Sequence, residues 1–124
     1  MKTFTILVVI ASLLISSPSY AKHKKLEKDY QKEWCMANNG ELEVVLPDST
    51  RCDCLTNNAV EVEFASKWAE SIGQSLYYSL QTGKRAGIVL IIETIKDRKY
   101  LIRLNTTIKH FNLPIDVWTV GEGR

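Results

Sequence analysis

Residues 87–92, Gly-Ile-Val-Leu-Ile-Ile, carry no polar side chain at all. A strand of that kind has no face to offer water and must be covered on both sides, as central strands of parallel sheets are. It is reached through residues 65–81, where Ala65, Trp68, Ala69, Ile72, Leu76 and Leu80 recur at three- and four-residue steps before Thr82-Gly83 ends the helical pattern. Ahead of that helix, Val60, Val62 and Phe64 alternate with Glu61 and Glu63, the period of a strand. Strand, helix and buried strand together imply a right-handed parallel crossover.

The segment before it reads differently. Leu26, Tyr30, Trp34 and Ala37 predict an amphipathic helix over residues 24–37, stopped by Asn39-Gly40. Residues 41–46, 51–55 and 59–64 are short strand-like runs separated by the turn compositions Pro47-Asp48-Ser49-Thr50 and Thr56-Asn57-Asn58. They predict an antiparallel meander, so the fold class is α/β of the α+β kind with a mixed sheet. Further on, a strand is expected over residues 99–104, a short helix over 106–111 and a last strand over 115–120.

At the start, Lys2, the apolar run 4–15 and Ser19-Tyr20-Ala21 have the pattern of a secretory signal ending at residue 21. The run falls short of the ~20 residues of a membrane span. The expectation is a signal peptide over 1–21 and one domain over 22–124, secreted or periplasmic, with no stable membrane insertion after cleavage. A formal charge of +2, from 16 Lys and Arg against 14 Asp and Glu, excludes nucleic-acid binding by bulk charge alone. Export makes Cys35, Cys52 and Cys54 candidates for oxidation. Cys52 and Cys54, two apart on a strand, should point the same way; Cys35 can bond either, or all three can be small buried apolar residues. His23 and His110 fall in no zinc-ligand spacing relative to them.

Glu61 and Glu63 share one strand face, and Asp53 lies opposite Cys52 and Cys54 on the preceding strand. A tight two-residue turn at Asn57-Asn58 would put Asp53 across from Val62 and scatter the carboxylates to opposite faces. A three-residue loop or a bulge instead pairs Asp53 with Glu61 or Glu63, and the longer loop is expected. Crowded carboxylates repel one another unless a cation sits among them, and hard oxygen donors suit Mg²⁺ or Mn²⁺. Lys67 could position a water and stabilise charge on a phosphodiester. Lys67, Ser71, Gln74 and Tyr78 form a polar row on the helix beside its apolar stripe. The plainer reading is a half-exposed strand with Glu61 and Glu63 outward and Lys67 in a helical ion pair with Glu63.

These residues resemble the PD-(D/E)XK nuclease superfamily, whose restriction-endonuclease-like core is helix, three-stranded meander, helix and parallel strand, here residues 24–92. Its acid on the second strand corresponds to Asp53 and its third-strand acid to Glu61 or Glu63. The Gln-x-x-x-Tyr signature of the RecB-like branch corresponds to Gln74 and Tyr78, and the first-helix glutamate of some members to Glu33. Two features depart from the pattern: Glu63 stands where the third-strand lysine belongs, with Lys67 four residues on, and Cys52-Asp53 replaces Pro-Asp.

The resemblance implies Mg²⁺- or Mn²⁺-dependent phosphodiester hydrolysis, with DNA as substrate. Asp53, Glu61 and Glu63 would hold the metal, Lys67 assist the water, and Gln74 orient Lys67 or a phosphate. Tyr78, Lys84 and Arg85 would contact substrate, with Arg98, Lys99 and Arg103 as lesser options. A domain this small has little area for base-specific contacts, so sequence-specific cutting would call for a homodimer or a partner. The alternative is a catalytically inactive module that keeps the fold and binds a partner.

Overall fold

The computed structural model describes residues 23–122, so the expected signal segment lies outside the described residues. Among those residues, no helix is long and apolar enough to cross a membrane. Helix α1, Glu27–Ala37, carries Glu27 and Asp29 in its first turn, where the helix dipole favours negative charge. It ends before Asn39, whose backbone is left-handed. Strands β1 (Glu41–Val45), β2 (Arg51–Leu55) and β3 (Asn58–Phe64) form the antiparallel meander. Leu55 pairs with Ala59, leaving Thr56-Asn57-Asn58 as the longer, three-residue loop the sequence calls for.

A 3-10 turn, Ala65–Lys67, leads into α2 (Trp68–Thr82), which Gly83 terminates in the left-handed conformation, φ 70°. The crossover then delivers β4 (Arg85–Ile91) parallel to β3, and α3 (Arg98–Phe111) delivers β5 (Ile115–Val120) parallel to β4. The result is a five-stranded mixed sheet in the order β1-β2-β3-β4-β5 with three helices. Alternate residues of β4 serve two cores. Val89 and Ile91 join Tyr30 of α1 and Val60 and Val62 of β3 on one face, and Ile88 and Leu90 join Leu104 of α3 on the other.

The expected strand over 99–104 and short helix over 106–111 are in fact the single helix α3. The run Tyr100-Leu101-Ile102 looks like a strand in isolation, but Leu101, Leu104 and Ile108 are spaced to pack together against the sheet. A capping box between Thr94 and Asp97 starts the helical path.

Cys52 and Cys54 do not share a cluster, contrary to their two-residue spacing. Cys54 lies beneath α1 and is bonded to Cys35, whereas the free thiol of Cys52 is buried with Leu46, Ala59 and Tyr78. The alternation breaks between them at Asp53, which the β1–β2 ladder skips together with Glu43, a residue at φ 49°. Burial pushes the Cys52 thiol up to about 11, which leaves it unreactive.

Beyond β4, the buried Glu93 carboxylate holds the segment ahead of α1 and α1 itself: Oε2 accepts from the Lys24 N–H at 2.7 Å and the Tyr30 hydroxyl at 2.8 Å, and His23 Nδ1 lies 2.6 Å from Oε1. Burial opposes its ionisation, but the bonds from His23, Tyr30 and Lys24 outweigh it and hold the pKa below its ordinary value.

The Cys35–Cys54 bond spans 19 residues, which by loop entropy corresponds to about 3 kcal/mol of stabilisation. Gly40 is packed against both sulfurs, leaving no room for a Cβ. Gly40→Ala is therefore expected to lower stability in denaturant melts by about 1–3 kcal/mol while the disulfide is intact, and by less once it is reduced. Equal losses in the oxidised and reduced proteins would show that the sulfurs are not what the methyl meets.

Candidate functional site

β2 and β3 part after two register pairs, Leu55 with Ala59 and Cys54 with Val60. Buried backbone groups beyond that point need other partners. Asp53 supplies them: its carbonyl accepts from Gln31 Nε2 of α1 at 2.9 Å, and its Oδ2 accepts from the Val62 N–H of β3 at 2.8 Å. The carboxylate thereby turns off the strand and into the fork.

In the fork Asp53 meets Glu61. The two carboxyls lie within hydrogen-bonding reach of each other. Burial, then the Asp53 charge, pushes Glu61 up to about 10, and it is only 3% exposed. Burial also raises Asp53, partly offset by the Val62 N–H and the contact with Glu61. From α2, the Gln74 amide, oriented so that both groups are satisfied, donates to Glu61 Oε1 at 2.5 Å and Oε2 at 3.1 Å. Tyr78 also bonds Glu61, and burial followed by the Glu61 and Asp53 charges raises its phenol. Gln74 thus engages the acid rather than Lys67.

Glu63 forms a second carboxyl pair, with Glu27. Burial first, then the bond to Glu27 and its charge, lifts Glu63 to about 7 against the opposing Lys67 charge and the Phe64 N–H at 3.1 Å. Among the described residues Lys67 makes no direct ion pair; it stands exposed beside the acids and acts on Glu63 through its field. Glu61 and Glu63 are both buried, so neither forms the solvated strand face of the plainer reading.

Other expected residues stand elsewhere. Glu33 is exposed and pairs with Lys25 at 2.7 Å. Glu27 is the first-helix acid that reaches the site, and helical phase could have found it, since Glu27, Tyr30, Gln31 and Trp34 recur at steps of three and four. Arg85 pairs in register with Asn58, at the opposite end of β3 from Glu63, and its guanidinium is held by Asp116 at 3.0 Å. Lys84 precedes it at the same end.

Among the described residues no three His, Cys, Asp or Glu side chains stand grouped to hold one ion; the acids lie as two carboxyl pairs. The donor set nonetheless fits a hard cation. Asp53 and Glu61 offer only oxygen donors, and Mg²⁺ commonly takes one or two carboxylates with waters.

The raised acids have a sign. A carboxyl that holds its proton in the folded chain and loses it in the unfolded chain makes stability fall as pH rises from the unfolded pKa toward the folded one. With Glu63 at about 7 and Glu61 at about 10, thermal stability in EDTA is expected to decline steadily from about pH 5 to pH 9. Glu61→Gln, which cannot ionise, should flatten that decline. A wild-type melting temperature constant over the range would show that the two acids are not raised in the folded chain.

No family model, curated protein or solved structure matches the chain.

Proposed function

We propose that this protein is a metal-dependent phosphodiester hydrolase with a restriction-endonuclease-like core, of the PD-(D/E)XK type, acting on DNA and exported from the cytoplasm. The observation that carries the reading is the fork, where Asp53 of the second strand and Glu61 of the third converge with Gln74 and Tyr78 of the next helix. The order of elements, helix, meander, helix, parallel strand, supports it.

In this reading Asp53 and Glu61, with Glu63 as the third acid, would hold Mg²⁺ or Mn²⁺. The cation supplies Lewis-acid polarisation of a phosphodiester oxygen and lowers the pKa of a water. Glu61 would have to be ionised to act as a ligand. Gln74 and Tyr78 fix Glu61 by donating to its oxygens, which sets the direction of its free lone pairs. Glu63, at about 7, is suited to accept a proton from water near neutral pH. Exposed Lys67 stabilises negative charge on the phosphate as the bond breaks.

One observation favours the alternative of an inactive binding module: Asp53 Oδ2 and both Glu61 oxygens already have donors, so the acids are satisfied without a cation.

Incubating the chain with supercoiled and linear DNA in Mg²⁺, Mn²⁺ or EDTA separates the two. Metal-dependent cutting is expected, with Asp53→Ala and Lys67→Ala each slowing it about 100-fold or more. Lys67→Ala is the cleaner variant, since Lys67 is exposed and bonds nothing in the core. A folded wild-type chain that cuts under neither metal leaves the binding module as the function.

A further inference from the structure

One helix carries positive charge with no acid to balance it. Of the 14 residues of α3, Arg98, Lys99, Arg103 and Lys109 are basic and none is acidic. The whole chain carries +2, so everything outside α3 sums to −2. All four cations are exposed, and none makes an ion pair among the described residues. By contrast Arg85, a phosphate contact expected from sequence, is already engaged by Asp116.

Helical phase puts the four on one side. Leu101, Leu104 and Ile108 turn to the sheet, and the basic residues spread over the opposite arc with Asn105, Thr106 and His110. From Arg98 to Lys109 is about 16 Å along the axis at the α-helical rise. Two of the cations share a support. Lys99 Nζ lies 5.0 Å and Arg103 Cζ 5.4 Å from the centre of the Tyr100 ring, which limits their side-chain freedom before anything binds.

The helix begins near the candidate site. The turn carrying Lys67 packs against α3, and Ser66 of that turn lines a cavity of about 240 Å³ together with Lys96 and Asp97.

We infer that the exposed face of α3 is the docking surface for the phosphodiester backbone of a nucleic acid, with Arg98, Lys99, Arg103 and Lys109 contacting successive phosphates. The inference rests on the proposed function for what happens next, but docking needs neither metal nor cleavage. A near-neutral chain can thus bind a polyanion, because one face is strongly basic while the acids are buried or lie elsewhere.

The test is anisotropy of fluorescein-labelled single- and double-stranded 20-mers with the full chain in EDTA, titrated at several salt concentrations. Lys99→Glu/Arg103→Glu should weaken binding about tenfold or more and reduce the slope of log affinity against log salt by about 2 for duplex. Lys28→Glu/Lys32→Glu on α1 makes the same change in net charge and should leave both nearly unaltered. Lys99→Gln/Arg103→Gln, a milder pair, should fall between, and circular dichroism reports that each variant is folded. Equal loss in the α1 pair, or no loss in either α3 pair, would overturn the inference. So would binding to phosphatidylglycerol vesicles without binding to oligonucleotides, which would assign exposed Ile102 and Phe111 to a lipid surface. Binding through α3 with no cutting in any metal would refute the proposed hydrolase alone; cutting indifferent to α3 charge would refute docking alone.

Discussion

Where two strands of a sheet separate, each inward-facing amide loses its partner, and a buried amide without one costs about 1–3 kcal/mol. The fork between β2 and β3 is possible because Asp53 replaces the missing backbone, giving its carbonyl to Gln31 and its carboxylate to the Val62 N–H. The same substitution aims an acid at Glu61. Structure and candidate chemistry therefore share one side chain, and effects of changing Asp53 on folding and on function cannot be read as independent. Glu43, opposite it on β1, takes a left-handed backbone at a cost of about 1 kcal/mol, which belongs to the same distortion.

Burying several carboxyls close together is normally prohibitive for their charged forms. Here the difficulty is met by protons. Burial favours the neutral forms of Glu61 and Glu63, and α2 contributes Gln74 and Tyr78 as neutral donors. A divalent cation would do the same work as those protons, so occupancy and acidity compete for one set of oxygens. Affinity for metal should then rise with pH as the protons become easier to displace.

Much of this was legible in the chain. The parallel crossover followed from an apolar run after a helix, and the three-residue loop from requiring Asp53 and Glu61 to share a face. The alternating Glu61 and Glu63, and the spacing of Gln74 and Tyr78, pointed to the surfaces that meet. Other features were hidden because they depend on tertiary partners. The strand-like sequence of α3 is overruled by the packing of Leu101, Leu104 and Ile108. The opposed burial of Cys52 and Cys54 follows from a break at Asp53 that no alternation pattern contains. Glu27 rather than Glu33 reaches the acids because it shares a helical side with Tyr30 and Gln31, a phase relation that was present in the sequence.

The disulfide also bears on how the chain reaches this state. In an unfolded chain, Cys35 can close a ring with Cys52 or with Cys54, and the two rings differ by two residues, so loop entropy barely separates them. Selection must come from structure already formed. Gly40 lets α1 and β2 approach at Cys54, while β3 and Tyr78 enclose Cys52. Pairing of β2 with its neighbours thus acts as a proofreader for oxidation: a bond made before the strands assemble samples both partners, and one made after them finds a single sulfur within reach.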